Sequence, residues 1–251
     1  MSDLSLDHLK PDFTGATLAS SIAARLRMAI MEGELAPGAK LRLEDLRSQY
    51  QVSLSPLREA LSRLSMDGLI EVAEQKGYRV APVSLENYEE ITCLRIELES
   101  MALEKSIANG DDAWESALVG AFHRLHKLER QRTDGAPIDA WELAHREFHN
   151  TLISASRMPL LLKMCGTLHD LSDRYRRILL RTRSFDGGVD EEHRRIMDAA
   201  LARNTEKATE LLKQHVERTA ANVLVLLRQR VEEESAEKKA AQGRVGKAVR
   251  R

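Results

Sequence analysis

Four of the eight histidines in this 251-residue chain fall where a helical pattern asks for an apolar residue: His145, His149, His193 and His215. His145 and His149 are four apart, so on a helix they share one face, one turn above the other. A single histidine in such a place is more often a hydrogen-bonded core residue than a ligand. Four of them, on the inward stripes of three helices, are expensive to bury without a shared partner. An imidazole cluster of this kind suits a divalent transition metal such as Zn²⁺, Ni²⁺ or Cu²⁺, and residue type alone does not choose between them. The alternative is a polar network around a small ligand. His8, His123, His126 and His169 lack this company and read as surface or structural residues.

The pair His145 and His149 also raises metal-dependent hydrolysis, and the spacing argues against it. A zinc hydrolase of that type needs a glutamate directly after the first histidine, within reach of metal-bound water. Here that position is Arg146, and Glu147 lies about 200° around the helix from His145. Arg95 falls on the stripe Tyr88, Ile91, Arg95, Leu98, so it points inward and must be paired. Its partner is either a protein acid such as Glu99 or a ligand carboxylate. Arg174 and Tyr175 flank the inner stripe of their own helix, between Leu171 and Ile178, while Arg176 and Arg177 fall toward the solvent side.

A second group able to do chemistry lies near the N-terminus. Ser53 is a helix N-cap, Pro56 sits in the first turn, and Leu57, Leu61 and Leu64 form a buried stripe. That leaves Ser53, Ser55 and Arg58 at the exposed N-terminal end, the end that a recognition helix turns toward DNA. Before it, Leu18, Ile22, Leu26 and Ile30 mark one helix and Leu43, Leu46 and Tyr50 another, separated by a turn at Ala36, Pro37 and Gly38. After it, Gly68 stops the helix, and the runs 69–72 and 78–80 read as a two-stranded wing around Gln75, Lys76 and Gly77. The outline is a winged helix-turn-helix, with Arg42, Lys76 and Arg79 as further DNA-contacting candidates.

From Ser84 onward six amphipathic helices follow, carrying stripes at Tyr88–Ala102, Leu118–Leu128, Trp141–Leu152, Leu161–Ile178, His193–Ala200 and Ala208–Thr219. Short connections make them an antiparallel bundle. The fold class is therefore mostly α: an N-terminal winged helix-turn-helix with a small β wing, and a C-terminal all-α bundle. The domain plan is a loose arm at 1–13, a DNA-binding unit at 14–82, a bundle at 84–228 and a frayed tail at 229–251. Hydrophobic residues make up 43% of the chain and aromatics only 4%, as suits helices packed through aliphatic side chains. A formal charge of −1 gives no bulk attraction to nucleic acid, so any DNA affinity depends on where the charges sit. Cys93 and Cys165 have no metal-like spacing and read as buried free thiols. Neither a signal segment nor a membrane-length apolar run is present, which points to a cytoplasmic protein with no membrane partner.

The motif Gly33-x-Leu35-x-Pro37-Gly38-x-x-Leu41, followed by Val52-Ser53, Pro56-Leu57-Arg58-Glu59-Ala60-Leu61 and Gly77, closely resembles the DNA-binding domain of GntR-type bacterial regulators over roughly residues 17–82. One departure is Leu54, where the family usually has a basic residue; Arg42 or Arg47 would replace that contact. The bundle resembles the FCD effector domain of the FadR-type branch through Arg95 and Glu99, Phe148 and His149, and Glu192, His193, Ala199, Ala208 and His215. The resemblance implies a transcriptional regulator, not an enzyme: a repressor that binds a pseudo-palindromic double-stranded operator as a homodimer and responds to a small carboxylate. It also implies a divalent metal, zinc or nickel, held by His149, His193 and His215. The position that is an aspartate in the family is His145 here. A histidine there, with Arg174, Tyr175 and Arg176, looks like the carbon-starvation-induced group linked to glutarate and 2-hydroxyglutarate. Arg95, Arg174 and Tyr175 are the candidate effector contacts, with Arg95 the first choice among cations on an inner face and Arg174 the second.

Overall fold

The computed structural model describes residues 17–73, 77–131, 139–180 and 189–248. The proposed arm at 1–13, Lys76 of the wing tip and the loops around Pro137 and Gly187 lie outside these residues. The chain divides into two compact units, Met1–Pro82 and Val83–Arg251.

In the first unit α1 (Leu18–Met31) is capped by Thr17, whose side chain accepts the Ser20 N–H. It is followed by β1 (Lys40–Leu41), α2 (Leu43–Tyr50), α3 (Leu54–Met66), β2 (Ile70–Ala73) and β3 (Gly77–Val80). Ile22, Leu26, Ile30, Leu46, Leu57, Leu61 and Leu64 are buried, so the stripes of the three helices meet in one core. The sheet has three strands, not the two the sequence suggests. Lys40 and Leu41 pair with Arg79 and Tyr78, giving the antiparallel order β1-β3-β2. Two residues are too few to show the alternation by which a strand is read. Gly77, at φ +82°, opens β3 in the left-handed region that glycine tolerates best.

The second unit contains α4 (Leu85–Asn109), α5 (Asp112–Gln131), α6 (Asp139–Ile153), α7 (Pro159–Leu180), α8 (Val189–Leu201) and α9 (Thr205–Ala248). Ser84 caps α4 by accepting the Asn87 N–H at 3.1 Å. Tyr88 packs on Tyr175, Arg95 meets Ser172, and Glu99 meets His169. Numbers that rise along α4 fall along α7, so the two helices are antiparallel. The last helix, expected to run on past 229 for a turn or more before fraying, extends as α9 to Ala248 through a run rich in the helix-favouring residues Glu, Lys, Ala and Gln. Cys165 is buried as expected, but Cys93 is exposed on α4. No helix among the described residues is long and apolar enough to cross a membrane.

Two apolar clusters fill the bundle. One joins Leu103, Ile107, Leu118, Phe122, Phe148, Ile196 and Leu212, and the other joins Tyr88, Ile91, Tyr175, Val223 and Leu227. Along α4 the buried pair Arg95 and Glu99 falls between the residues of the two clusters. The polar seam is thus enclosed by hydrocarbon at both ends.

Candidate functional site

In the first unit the sequence candidates gather on α3 and the strands beside it. Ser53, Ser55 and Arg58 are exposed. Ser53 occupies the N-cap of α3 with extended backbone, yet its hydroxyl makes no capping bond. The reason is Pro56: it stands at the third helical position, where the cap's usual N–H partner would be, and has none to give. The hydroxyl is left facing outward. Arg58 makes no ion pair among the described residues, whereas Arg47 is held by Glu44 at 3.0 Å and Arg63 by Glu59 at 2.5 Å. Arg42 is exposed just before α2, and Arg79 is half-buried on the central strand opposite both Lys40 and Glu71.

In the second unit α6, α8 and α9 bring His145, His149, His193 and His215 together. All four are buried, and one ligand nitrogen from each lies within 4.8 Å of the others. His145 Nε2 and His149 Nε2 are 3.2 Å apart. Two nitrogens bound to one tetrahedral zinc at about 2.0 Å would stand about 3.3 Å apart, so the spacing suits an ion between them. Burial lowers the pKa of His145, His149 and His215 well below the usual imidazole value. Arg176 pushes His145 further down, His215 does so for His149, and His193 for His215. These rings are neutral at neutral pH, the form in which imidazole donates a lone pair. The donor set fits a divalent transition ion.

Carboxylates stand behind the cluster. Glu192 lies 2.9 Å from His215 Nδ1 and forms an ion pair with Arg218, its carboxylate 2.9 Å from Nε. Glu129 is 3.8 Å from His193 Nδ1 and receives the Trp141 indole N–H at 3.3 Å. Glu147, excluded above as a general base, lies outside on the surface and is paired with Arg124 at 2.7 Å.

Of the two partners open to Arg95, the structure holds Glu99, whose carboxylate accepts Arg95 Nε at 2.6 Å while Ser172 accepts another N–H at 3.0 Å. His169, which the sequence left aside, is buried 2.9 Å from the same carboxylate. Spacing from Glu99 is no guide to it, because the two meet only through the packing of α4 on α7. Arg174 is buried. Arg176, placed toward solvent by the helical pattern, is also buried, donating to Glu142 at 2.5 Å and Asp173 at 2.7 Å. A charged residue on α7 reads as exposed until its acid partner on α6 is known. The Tyr175 hydroxyl is engaged away from the histidines: it receives the Ser84 N–H at 3.1 Å and donates to Asn87 Oδ1 at 2.9 Å.

Two family models match the chain: bacterial regulatory proteins of the gntR family over residues 18–80, and the FCD domain over residues 90–218. The HTH-type transcriptional regulator BphR of Paraburkholderia xenovorans (strain LB400) is 41% identical over 196 residues, 77% of this chain and 80% of the relative. The HTH-type transcriptional repressor GlaR of Escherichia coli K12 is 37% identical over 195 residues, 76% of this chain and 89% of the relative. Among solved structures, E. coli McbR/YncC superposes with a TM-score of 0.70 at 23% identity, covering 86% of this chain and 99% of that one, a likeness of fold.

The Arg95–Glu99 pair makes a prediction about stability. Burial alone would raise the Glu99 carboxyl; Arg95 and His169 outweigh it and hold the pKa at about 2, against an ordinary 4.5. Its stabilising contribution is therefore complete above about pH 5 and is lost as the pH falls from about 4.5 toward 2. Glu99→Gln should cost about 3–5 kcal/mol at pH 7, because it leaves Arg95 buried without its counter-charge. Denaturant melts at pH 7 and pH 3 should show that difference shrinking in acid.

Proposed function

The chain belongs to the GntR family of bacterial regulatory proteins, whose members are transcriptional regulators rather than enzymes, and from that premise we propose that it is a metal-containing repressor released from DNA by a small dicarboxylate. The observation that carries the effector half is the buried histidine cluster with Arg95 close by: Arg95 is paired with Glu99 at 2.6 Å, and a Glu99 carboxylate oxygen lies within 4.8 Å of a ring nitrogen of His149. A metal held by His145, His149, His193 and His215 would supply Lewis acidity for an anionic ligand. Zinc and nickel are the leading ions.

Arg95, already bonded to Ser172, receives the second carboxylate, with Arg174 the next choice. Two anchors at the ends of an aliphatic chain measure its length. Glutarate and 2-hydroxyglutarate are the lead ligands, on the likeness to the carbon-starvation group. Both are anions that a buried site would exclude if it lacked a cation at each end.

The DNA half rests on α3. Ser53 and Ser55 take phosphates at the helix N-terminus, Arg58 reaches base edges or phosphates, and Gly77 lets the wing backbone approach the groove, with Arg42, Lys76 and Arg79 adding charge. Two copies related by two-fold symmetry meet two half-sites about one helical turn apart. The ligand acts by favouring one of two arrangements of the chain, and it shifts the balance only as far as it binds one better. Tyr175 supplies the local connection. It lies on the helix of Ser172 and Arg174 and grips Ser84, two residues beyond the boundary between the units.

Three outcomes follow. Arg58→Ala should weaken operator binding by about 1–3 kcal/mol with its helical circular dichroism unchanged, measured at fixed salt on a DNA fragment the protein itself enriches from a random pool. Wild-type affinity from this variant would remove Arg58 from the interface. In a calorimetric series, C5 dicarboxylates should bind better than succinate or adipate and should lower operator affinity; tight binding of a neutral or long-chain ligand alone would refute the effector class. Tyr175→Phe should keep both DNA and dicarboxylate affinity while reducing the effect of one on the other, and unchanged coupling would deny the hydroxyl that role.

A further inference from the structure

We infer that the four histidines are unequal, and that His145 is the exchangeable member, giving up its place to a carboxylate of the effector. The inference rests on the metal reading above and assigns roles within it.

The inequality is in what stands behind each ring. His215 is backed by Glu192 at hydrogen-bond distance, 2.9 Å, and His193 has the Glu129 carboxylate near it at 3.8 Å, an ion-pair distance. His149 falls in a second buried group with Glu99 and His169, their ligand atoms within 4.8 Å of one another. A carboxylate or polar partner behind an imidazole fixes its tautomer, holds its orientation and strengthens it as a donor. His145 has no carboxylate within ion-pair distance among the described residues. Its neighbours are rings: it stacks on Trp141 with centroids 4.7 Å apart and planes 21° apart. The Arg176 guanidinium carbon is 6.0 Å from the same Trp141 ring, and the acids that hold it, Glu142 and Asp173, are bonded to that cation rather than to the imidazole. A ring with no carboxylate of its own is the poorest supported of the four donors.

Exchange at this position is balanced in atoms and charge. A neutral imidazole nitrogen leaves the ion and an anionic carboxylate oxygen takes its place; no electron or proton moves, and the charge of the centre falls by one. His145 keeps its stacking on Trp141, so its release opens no void. The other three rings retain the ion between α6, α8 and α9, with His149 still supplying the ligand from α6. Arg95 then meets the distal carboxylate. On this reading the site selects an anion because it lacks one of its own.

The test uses the full-length protein and cobalt(II), a visible probe of a zinc-like site. His145→Ala and His145→Gln should bind cobalt within about tenfold of the unaltered protein, whereas His149→Ala and His215→Ala should lose about a hundredfold or more. Circular dichroism checks that each variant is folded, and the glutamine variant preserves most of the side-chain volume. Acetate added to the cobalt-loaded unaltered protein should change its visible band, and the same change in His145→Ala should need less acetate. Losses at His145 equal to those at the other histidines, or a band indifferent to acetate, would overturn the inference. No cobalt binding by the unaltered protein would remove both it and the metal reading, while the operator experiment with Arg58→Ala would stand apart.

Discussion

An imidazole taken out of water without a hydrogen-bond partner costs on the order of 1–3 kcal/mol in a protein, and this chain draws four of them into one helical bundle. Arg95, Glu99, Arg176, Glu142 and Asp173 are buried there as well. Folding tolerates this because each charge meets an opposite one: Arg95 with Glu99, Arg176 with Glu142 and Asp173. The cluster gathers nitrogens lowered in basicity by burial and by neighbouring cations. Such rings do not answer that environment by protonating, and an ion shared among them would offset the cost for all at once.

The same constraint organises the helices around the seam. Hydrocarbon closes it at both ends, and ligands come from separated segments, α6, α8 and α9, so whatever fills the centre also ties those segments together. Helix α7 carries residues facing two ways. Ser172 and Asp173 meet the arginines, while Tyr175 holds the first turn of α4 beside the start of the unit. In the winged unit the device is simpler: three helices bury their leucines, and Ser53, Ser55 and Arg58 are left outward at the start of α3.

Much of this was legible in the residues. Helical periodicity located each α-helix among the described residues, and the four histidines declared themselves because polar residues interrupted apolar stripes at 145, 149, 193 and 215. The same rule flagged Arg95 and left its partner open between Glu99 and a ligand; only the packed structure supplies Ser172 and His169. It failed for Arg176, because periodicity weighs residues one helix at a time and the acid that accepts this cation lies on α6. Tyr175 is a ligand-contact candidate beside the inner stripe, and its hydroxyl bonds Ser84 and Asn87, partners that sequence separation conceals. The short strand at Lys40 and Leu41 is beyond local pattern for the same reason, since it depends on what comes to lie opposite, whereas the missing capping bond of Ser53 follows from Pro56 three residues on.

The central claim is that the histidine cluster is a metal centre, and metal content tests it most directly. Protein prepared without a metal-affinity tag should carry about one divalent transition ion per chain, with X-ray absorption reporting nitrogen and oxygen neighbours and no sulfur. It should also lose thermal stability when that ion is stripped by a chelator and regain it on return of zinc or nickel. A small fraction of an ion per chain, together with a melting temperature indifferent to added metal, would contradict the account and leave the four imidazoles as a polar lining for the ligand itself.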